Sequence, residues 1–143
     1  MIISLREGLI FAGVNFLSEV KIQIKSFWPA VVAFIIATFL FCLPGDEFPE
    51  AGWLDKIYFD KLVHVGLFLT LVFLWILPAR ERADNQRTIN KIFLGITLAF
   101  VVYGIAIEFI QLHFIPHRSF DFFDIVADSA GCVLGSIAAK KLS

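Results

Sequence analysis

The stretch Glu108–Gly135, EFIQLHFIPHRSFDFFDIVADSAGCVLG, decides how the chain is read. It collects Glu108, Gln111, His113, His117, Arg118, Asp121, Asp124 and Asp128 between apolar residues. The composition around it makes that collection unusual. The 143 residues are 59% hydrophobic and only 17% charged, with a mean hydropathy of +0.83. Soluble domains are about half apolar and a quarter charged. This chain has too little polar surface to cover a sphere, and the bilayer is its natural solvent. The length fits one domain. A net charge of −1 gives no reason to expect a nucleic-acid partner.

Four runs approach the roughly 17–25 apolar residues that cross a membrane as a helix. The first is Phe27–Leu43, with Ser26 as a cap, Pro29 in the tolerant first turn and Pro44-Gly45 as the stop. The second is Asp60–Leu77, stopped by Pro78, and the third is Asn90–Phe114, stopped before Pro116. The fourth, Phe120–Leu142, is the least apolar and has Ser119 as its expected N-cap. Backbone groups in lipid must pair within their own segment, so helices are expected and an open sheet is not. A soluble helical bundle is the competing reading. The first and third runs are too continuous to leave a wet face. Residues 1–25 place Leu5, Leu9, Phe16 and Val20 at helical spacing, with polar interruptions. They read as an interfacial segment, not a span or a cleaved signal peptide. The expectation is an all-α polytopic membrane bundle: an interfacial segment over 1–25 and four transmembrane helices over 26–143.

Lysines and arginines set the orientation. Arg6, Lys21 and Lys25 precede the first helix, Arg80, Arg82, Arg87 and Lys91 occupy the middle loop, and Lys140 and Lys141 end the chain. Both termini and the middle loop are therefore expected in the cytoplasm. Trp28, Trp53, Tyr58 and Trp75 fall near the expected interfaces. Cys42 and Cys132 read as small buried hydrophobes.

With this topology the polar residues gather at one membrane face. Asp60, Lys61 and His64 open the second helix, Glu108 and Gln111 close the third, and Arg118, Asp121, Asp124 and Asp128 lead into the fourth. At about 1.5 Å per residue, Glu108 lies roughly 9 Å below Phe114, and Asp128 roughly 10 Å below Asp121. His64 lies roughly 6 Å below Asp60. Facing agrees, because residues three, four and seven apart share a helix face. Asp121, Asp124, Asp128, Gly131 and Gly135 form one stripe, and the glycines admit a neighbouring helix.

Plain structural readings compete at each position. Asp121 and Asp124 sit where a helix N-terminus stabilises a carboxylate. Lys61 reads equally well as a side chain snorkelling to the interface, His113 as an interfacial ring, and His64 as a core histidine. Glu108 and Asp128 differ, since an ionisable group at helix depth costs about 2.5–3.5 kcal/mol on insertion scales. Arg118 is the expected pivot, able to fork onto Glu108, Asp128 or a lipid phosphate.

The order DKLVH, YGIAIEFIQ and PHRSFDFFDIVADSAGCVLG resembles the VanZ-like family of small bacterial membrane proteins. The matched positions are Asp60, Lys61, His64, Gly104, Glu108, Gln111, Pro116, Arg118, Asp121, Asp124, Asp128, Gly131 and Gly135. Asp128 stands where many members carry asparagine, which adds a negative charge. The family is named for a protein conferring low-level teicoplanin resistance. The resemblance implies a bacterial cytoplasmic-membrane protein working at the outer face, near lipids or cell-wall precursors. It supplies no reaction.

The first functional expectation is a pocket for an anionic lipid or lipid-linked cell-wall-precursor headgroup, affecting envelope properties or glycopeptide susceptibility. Its ligand-binding residues are Asp60, Lys61, His64, Glu108, Gln111, Arg118, Asp121, Asp124 and Asp128. The alternative is a membrane enzyme acting on a lipid-linked substrate. Its catalytic candidates are His64, Glu108 and Asp128, with His64 as general base. No motif calls for a cofactor. A metal held by His64, His117, Glu108 and Asp128 finds no support from an HExxH-type motif, and none is expected. A proton-coupled carrier is disfavoured because the inner helix halves are almost bare of polar groups.

Overall fold

The computed structural model describes residues 27–44 and 59–142. The expected interfacial segment 1–25, the Ser26 cap and the loop carrying Trp53 and Tyr58 lie outside the described residues. Within them the chain is helical, with α1 at Phe27–Phe41, α2 at Phe59–Arg80, α3 at Gln86–Phe114 and α4 at Phe122–Lys141.

Helices α2, α3 and α4 are each long and apolar enough to cross a membrane. Helix α1 is shorter than the expected first span. Over Phe27–Phe41 it rises about 22 Å, less than the roughly 30 Å of a hydrocarbon core. It ends in a turn in which Cys42 N–H donates to Thr38 O, ahead of Pro44.

Three helix ends differ from the sequence reading, each for a local reason. Pro78 does not stop α2, which runs on to Arg80 with the proline inside its last turn. Proline there removes one hydrogen bond near an end that is already short of partners. Helix α3 starts before Asn90, because Asn85 takes an extended backbone and its side chain accepts from Thr88 N–H at 2.9 Å. The N-cap of α4 is Asp121, not Ser119: its Oδ1 accepts from Phe123 N–H at 2.8 Å. Between α3 and α4, His117 holds a left-handed φ of 59°. Histidine enters that region more readily than most side chains.

The closest packing joins α2 to α4, and two glycines create it. A Cβ at Gly131 would stand 2.5 Å from Val65 O, and one at Gly135 would stand 2.5 Å from Leu69 O. Both helices run away from the same end, so the pair is parallel, with α3 returning between them. Gly104 of α3 admits Asp128 in the same way, with Asp128 Oδ2 2.7 Å from where a Cβ would sit. Phe68, Leu71, Val72, Ile76, Ile107 and Cys132 form the centre of the core. Aromatic contacts extend it: Tyr103 packs on Phe34 at 5.0 Å and on Phe68 at 5.8 Å. Trp75 packs inward, against Phe27 and Phe100. The outer face of α3 carries Leu94, Leu98, Val102, Ile105, Phe109 and Leu112, all exposed and three or four residues apart. Such a stripe suits lipid contact and would be costly in water.

Gly131→Ala and Gly135→Ala should each destabilise the bundle by about 1–3 kcal/mol, the usual cost of forcing atoms into a packed interface. Gly66→Ala and Gly95→Ala should cost little, since nothing lies within 4 Å of a Cβ at either position. Thermal unfolding in detergent checks this. Equal losses at all four positions would contradict the packing account.

Candidate functional site

The polar site sits where α2 and α4 begin and α3 ends. Its upper layer is a cation gripped by carboxylates. Lys61 Nζ donates to Asp121 Oδ2 and to Asp124 Oδ1, each at 2.5 Å, and stands 3.6 Å from Asp60 Oδ2. Asp121 is thus N-cap and ion-pair partner at once. Its hydrogen bond from Lys61 holds its carboxyl below the usual carboxylate range.

One turn deeper, the His64 ring is buried against Phe41, with ring centroids 4.9 Å apart. His64 Nδ1 lies 2.9 Å from Asp128 Oδ1. Opposite an ionised Asp128, which can only accept, Nδ1 carries the proton and donates. The opposite nitrogen, Nε2, faces Asp60 Oδ1 and Asp124 Oδ2, at 4.0 Å from each. Those distances exceed hydrogen-bond reach. Phe68 packs beside Gly104 and Asp128 and closes the site from below.

Glu108 and Gln111 are fully buried on α3 and act on other elements. Glu108 Oε2 accepts the Asp121 backbone N–H at 2.9 Å and so fastens the start of α4 to α3. Its Oε1 is buried with no hydrogen-bond partner, as is Asp128 Oδ2. Gln111 turns the other way, where its Nε2 donates to Phe41 O at 3.0 Å and secures the end of α1.

The structure therefore joins Asp60, Lys61, His64, Asp121, Asp124 and Asp128 in one network, with Glu108 attached through the Asp121 backbone. Gln111 belongs to the α1 junction. Lys61 stands on the Asp121 and Asp124 carboxylates, a pairing the sequence reading did not specify. Arg118 sits half-buried in the turn before α4, its backbone N–H donating to Ile115 O. His113 is exposed and bonds back to Phe109 O. His117 is exposed at the turn. Phe41 went unnoticed in the sequence because nothing in an apolar run marks the residue whose carbonyl and ring meet the site.

The far end of the bundle is basic. Arg80 Nη1 donates to Ala139 O at 2.9 Å and Nη2 to Leu142 O at 3.1 Å, which caps the carboxyl end of α4. Arg82 lies over the Phe27 ring at 4.6 Å.

The profile of the VanZ/LLP1 family matches residues 10–142. The match begins within the segment that the sequence reading set apart from the four-helix domain. An uncharacterised protein of Schizosaccharomyces pombe is 40% identical over 77 residues, which is 52% of this chain and 43% of that relative. The chain thus aligns with less than half the length of that curated relative, and the relative's origin carries the likeness beyond bacteria. No solved structure matches.

Lys61→Met should destabilise the protein more than Asp60→Asn, because it leaves the Asp121 and Asp124 carboxylates facing each other. The loss should stay below the roughly 3–5 kcal/mol of a fully buried broken pair, since Lys61 is 22% exposed. The sign with pH follows from the lowered Asp121 value. The stabilisation from this pair is fully present above an unfolded carboxylate pKa of about 3.9 and is lost as pH falls through the folded value. Unfolding scans in detergent should show no loss from this pair between pH 7 and 5. Lys61→Met should then remove a drop in stability seen only at stronger acidity.

Proposed function

This chain belongs to the VanZ/LLP1 family, and from that premise we propose that it is a membrane protein that binds a polar lipid or lipid-linked headgroup at the acidic end of its bundle. One observation carries the reading. The polar side chains grade from open to buried along one path, with Asp60 55% exposed, Asp121 39%, His64 3% and Asp128 1%. Beside the mouth stand exposed apolar side chains: Phe59 and Leu62 on α2, Phe120, Phe122 and Phe123 at the start of α4. An amphiphile fits such a boundary, with tails along the phenylalanines and the headgroup among the carboxylates. The excess of carboxylates favours headgroups bearing amines or hydroxyls. Lys61 offers a contact for phosphate.

The side of the membrane follows from the same polarity. Arg80, Arg82, Arg87, Lys91, Lys140 and Lys141 cluster at the opposite end of the helices from the site. Ends rich in lysine and arginine face the cytoplasm, so the site is assigned to the other face. In a bacterium this is where lipid-linked cell-wall precursors are presented, and changes in envelope properties or glycopeptide susceptibility would follow from capturing them.

The His64–Asp128 contact favours a second reading, a reaction on the bound lipid. A histidine fixed in one tautomer by a buried carboxylate is the arrangement that proton transfer requires. The reacting centre would sit beside Nε2.

Two measurements test these readings. Mass spectrometry of lipid retained after purification should find a polar lipid on the wild type and on Arg82→Gln at the far end. The lipid should be lost from His64→Gln and Asp124→Asn that remain folded. Retention by all four proteins removes the headgroup reading. A lipid recovered cleaved from the wild type but intact from His64→Gln would establish the reaction. In a background lacking Cys42 and Cys132, an impermeant thiol reagent applied outside cells should label His117→Cys and spare Asn85→Cys. The reverse pattern would move the site to the cytoplasmic face.

A further inference from the structure

We propose that Asp60, His64 and Asp124 form a site for one divalent transition-metal ion, which anchors the phosphate of the headgroup. The inference rests on the headgroup reading only for the phosphate; the metal site stands on geometry of its own. One nitrogen of His64 and one carboxylate oxygen each from Asp60 and Asp124 lie within 4.8 Å of one another. Two ligands of one ion with bonds of about 2.0–2.2 Å stand no more than about 4.4 Å apart. The separations of 4.0 Å from His64 Nε2 to each oxygen already fall inside that limit. The exposed Asp60 carboxylate has room to swing inward and complete the set.

His64 itself points to a cation. Its side chain is 97% buried and its Nδ1 lies 2.9 Å from Asp128 Oδ1. Its other nitrogen, Nε2, stands 4.0 Å from Asp60 Oδ1 and 4.0 Å from Asp124 Oδ2, beyond hydrogen-bond reach of either. A nitrogen and two carboxylate oxygens converging at this spacing are the donor set that a divalent cation between them would use. Asp124 is divided suitably, with Oδ1 on Lys61 and Oδ2 toward His64. Asp128 then acts as the outer carboxylate that orients a ligating histidine. Charge argues the same way. Asp60, Asp121, Asp124 and Asp128 gather here around the Lys61 ammonium. Glu108 Oε1 and Asp128 Oδ2 remain buried without hydrogen-bond partners. Unneutralised carboxylates at helix depth are costly.

One imidazole and two carboxylates suit Zn2+ or Mn2+ better than Mg2+, which prefers oxygen ligands and keeps its waters. Three protein ligands leave coordination positions open on the exposed Asp60 side, where a phosphate oxygen can bind. The chain has three histidines, so His113→Gln with His117→Gln removes every other imidazole without touching the site.

The test uses that double variant as parent, purified in detergent without added lipid and stripped with chelator. Titration with Mn2+ followed by electron paramagnetic resonance should show one ion per chain. Asp60→Asn, at a position 55% exposed, should weaken binding by tenfold or more. Asp128→Asn should weaken it by about 10–100-fold, the usual effect of losing a carboxylate behind a ligating histidine. No binding by the parent, or equal binding by parent and Asp60→Asn, overturns the proposal. Lipid analysis before and after chelation separates the two ideas. Lipid retained equally after chelation rejects the metal as the phosphate anchor and leaves the headgroup reading standing. Stoichiometric, Asp60-dependent Mn2+ binding in a protein that retains no lipid supports the metal site and rejects the headgroup reading.

Discussion

The close approach of α2 and α4 over Gly131 and Gly135 sets everything at the polar end. With no Cβ at either position, the carbonyls of Val65 and Leu69 come against the glycine backbones. That contact fixes the register of two parallel helices. Going toward the mouth, the same register brings His64 to Asp128, then Lys61 to Asp124 and Asp121. Going the other way it brings Arg80 to the last carbonyls of α4. A slip of one turn would break the ion pairs and the cap together. The packing device and the polar site are therefore one structural feature, and mutations that loosen the glycines will disturb the site at a distance.

Parallel alignment also explains why an acidic cluster is tolerable in an apolar chain. The first turns of α2 and α4 both lie at the carboxylates, where the positive end of a helix dipole favours negative charge. Asp121 uses this directly as the α4 cap, and Glu108 takes the Asp121 backbone N–H from the facing helix. The carboxyl ends of the same two helices carry Arg80, Lys140 and Lys141, where positive charge is favourable. The bundle is thus polarised along its length by charge and dipole in the same sense. Parallel α2 and α4 are the consequence of an intervening antiparallel span, so the polarity is a result of topology.

The α3 helix divides its labour by face. Its outer stripe of leucine, valine, isoleucine and phenylalanine is exposed and suits lipid contact. Its inner face carries Gly104, Ile107, Glu108 and Gln111. Glu108 and Gln111 tie it to the start of α4 and the end of α1. Beside it, Lys61 and His64 of α2 meet Asp124 and Asp128 of α4 and the Asp121 cap.

The sequence by itself determined the helices, their membrane-compatible length and the grouping of polar residues at one end. Periodicity is a local property, and runs such as Asn90–Phe114 admit no other reading in lipid. It also determined the stripe Asp121, Asp124, Asp128, Gly131 and Gly135, because positions on one helix face follow from 3.6 residues per turn. Helix ends were less legible, since Pro78 and Ser119 were outweighed by a tolerant last turn and by the stronger cap at Asp121. Only the tertiary structure decided the partners. The α2–α4 register, which depends on backbone approach between distant segments, places Lys61 on the Asp121 and Asp124 carboxylates. The same register turns His64 Nδ1 to Asp128 and leaves Nε2 facing Asp60 and Asp124, a distinction between two nitrogens of one ring that no spacing of residues encodes.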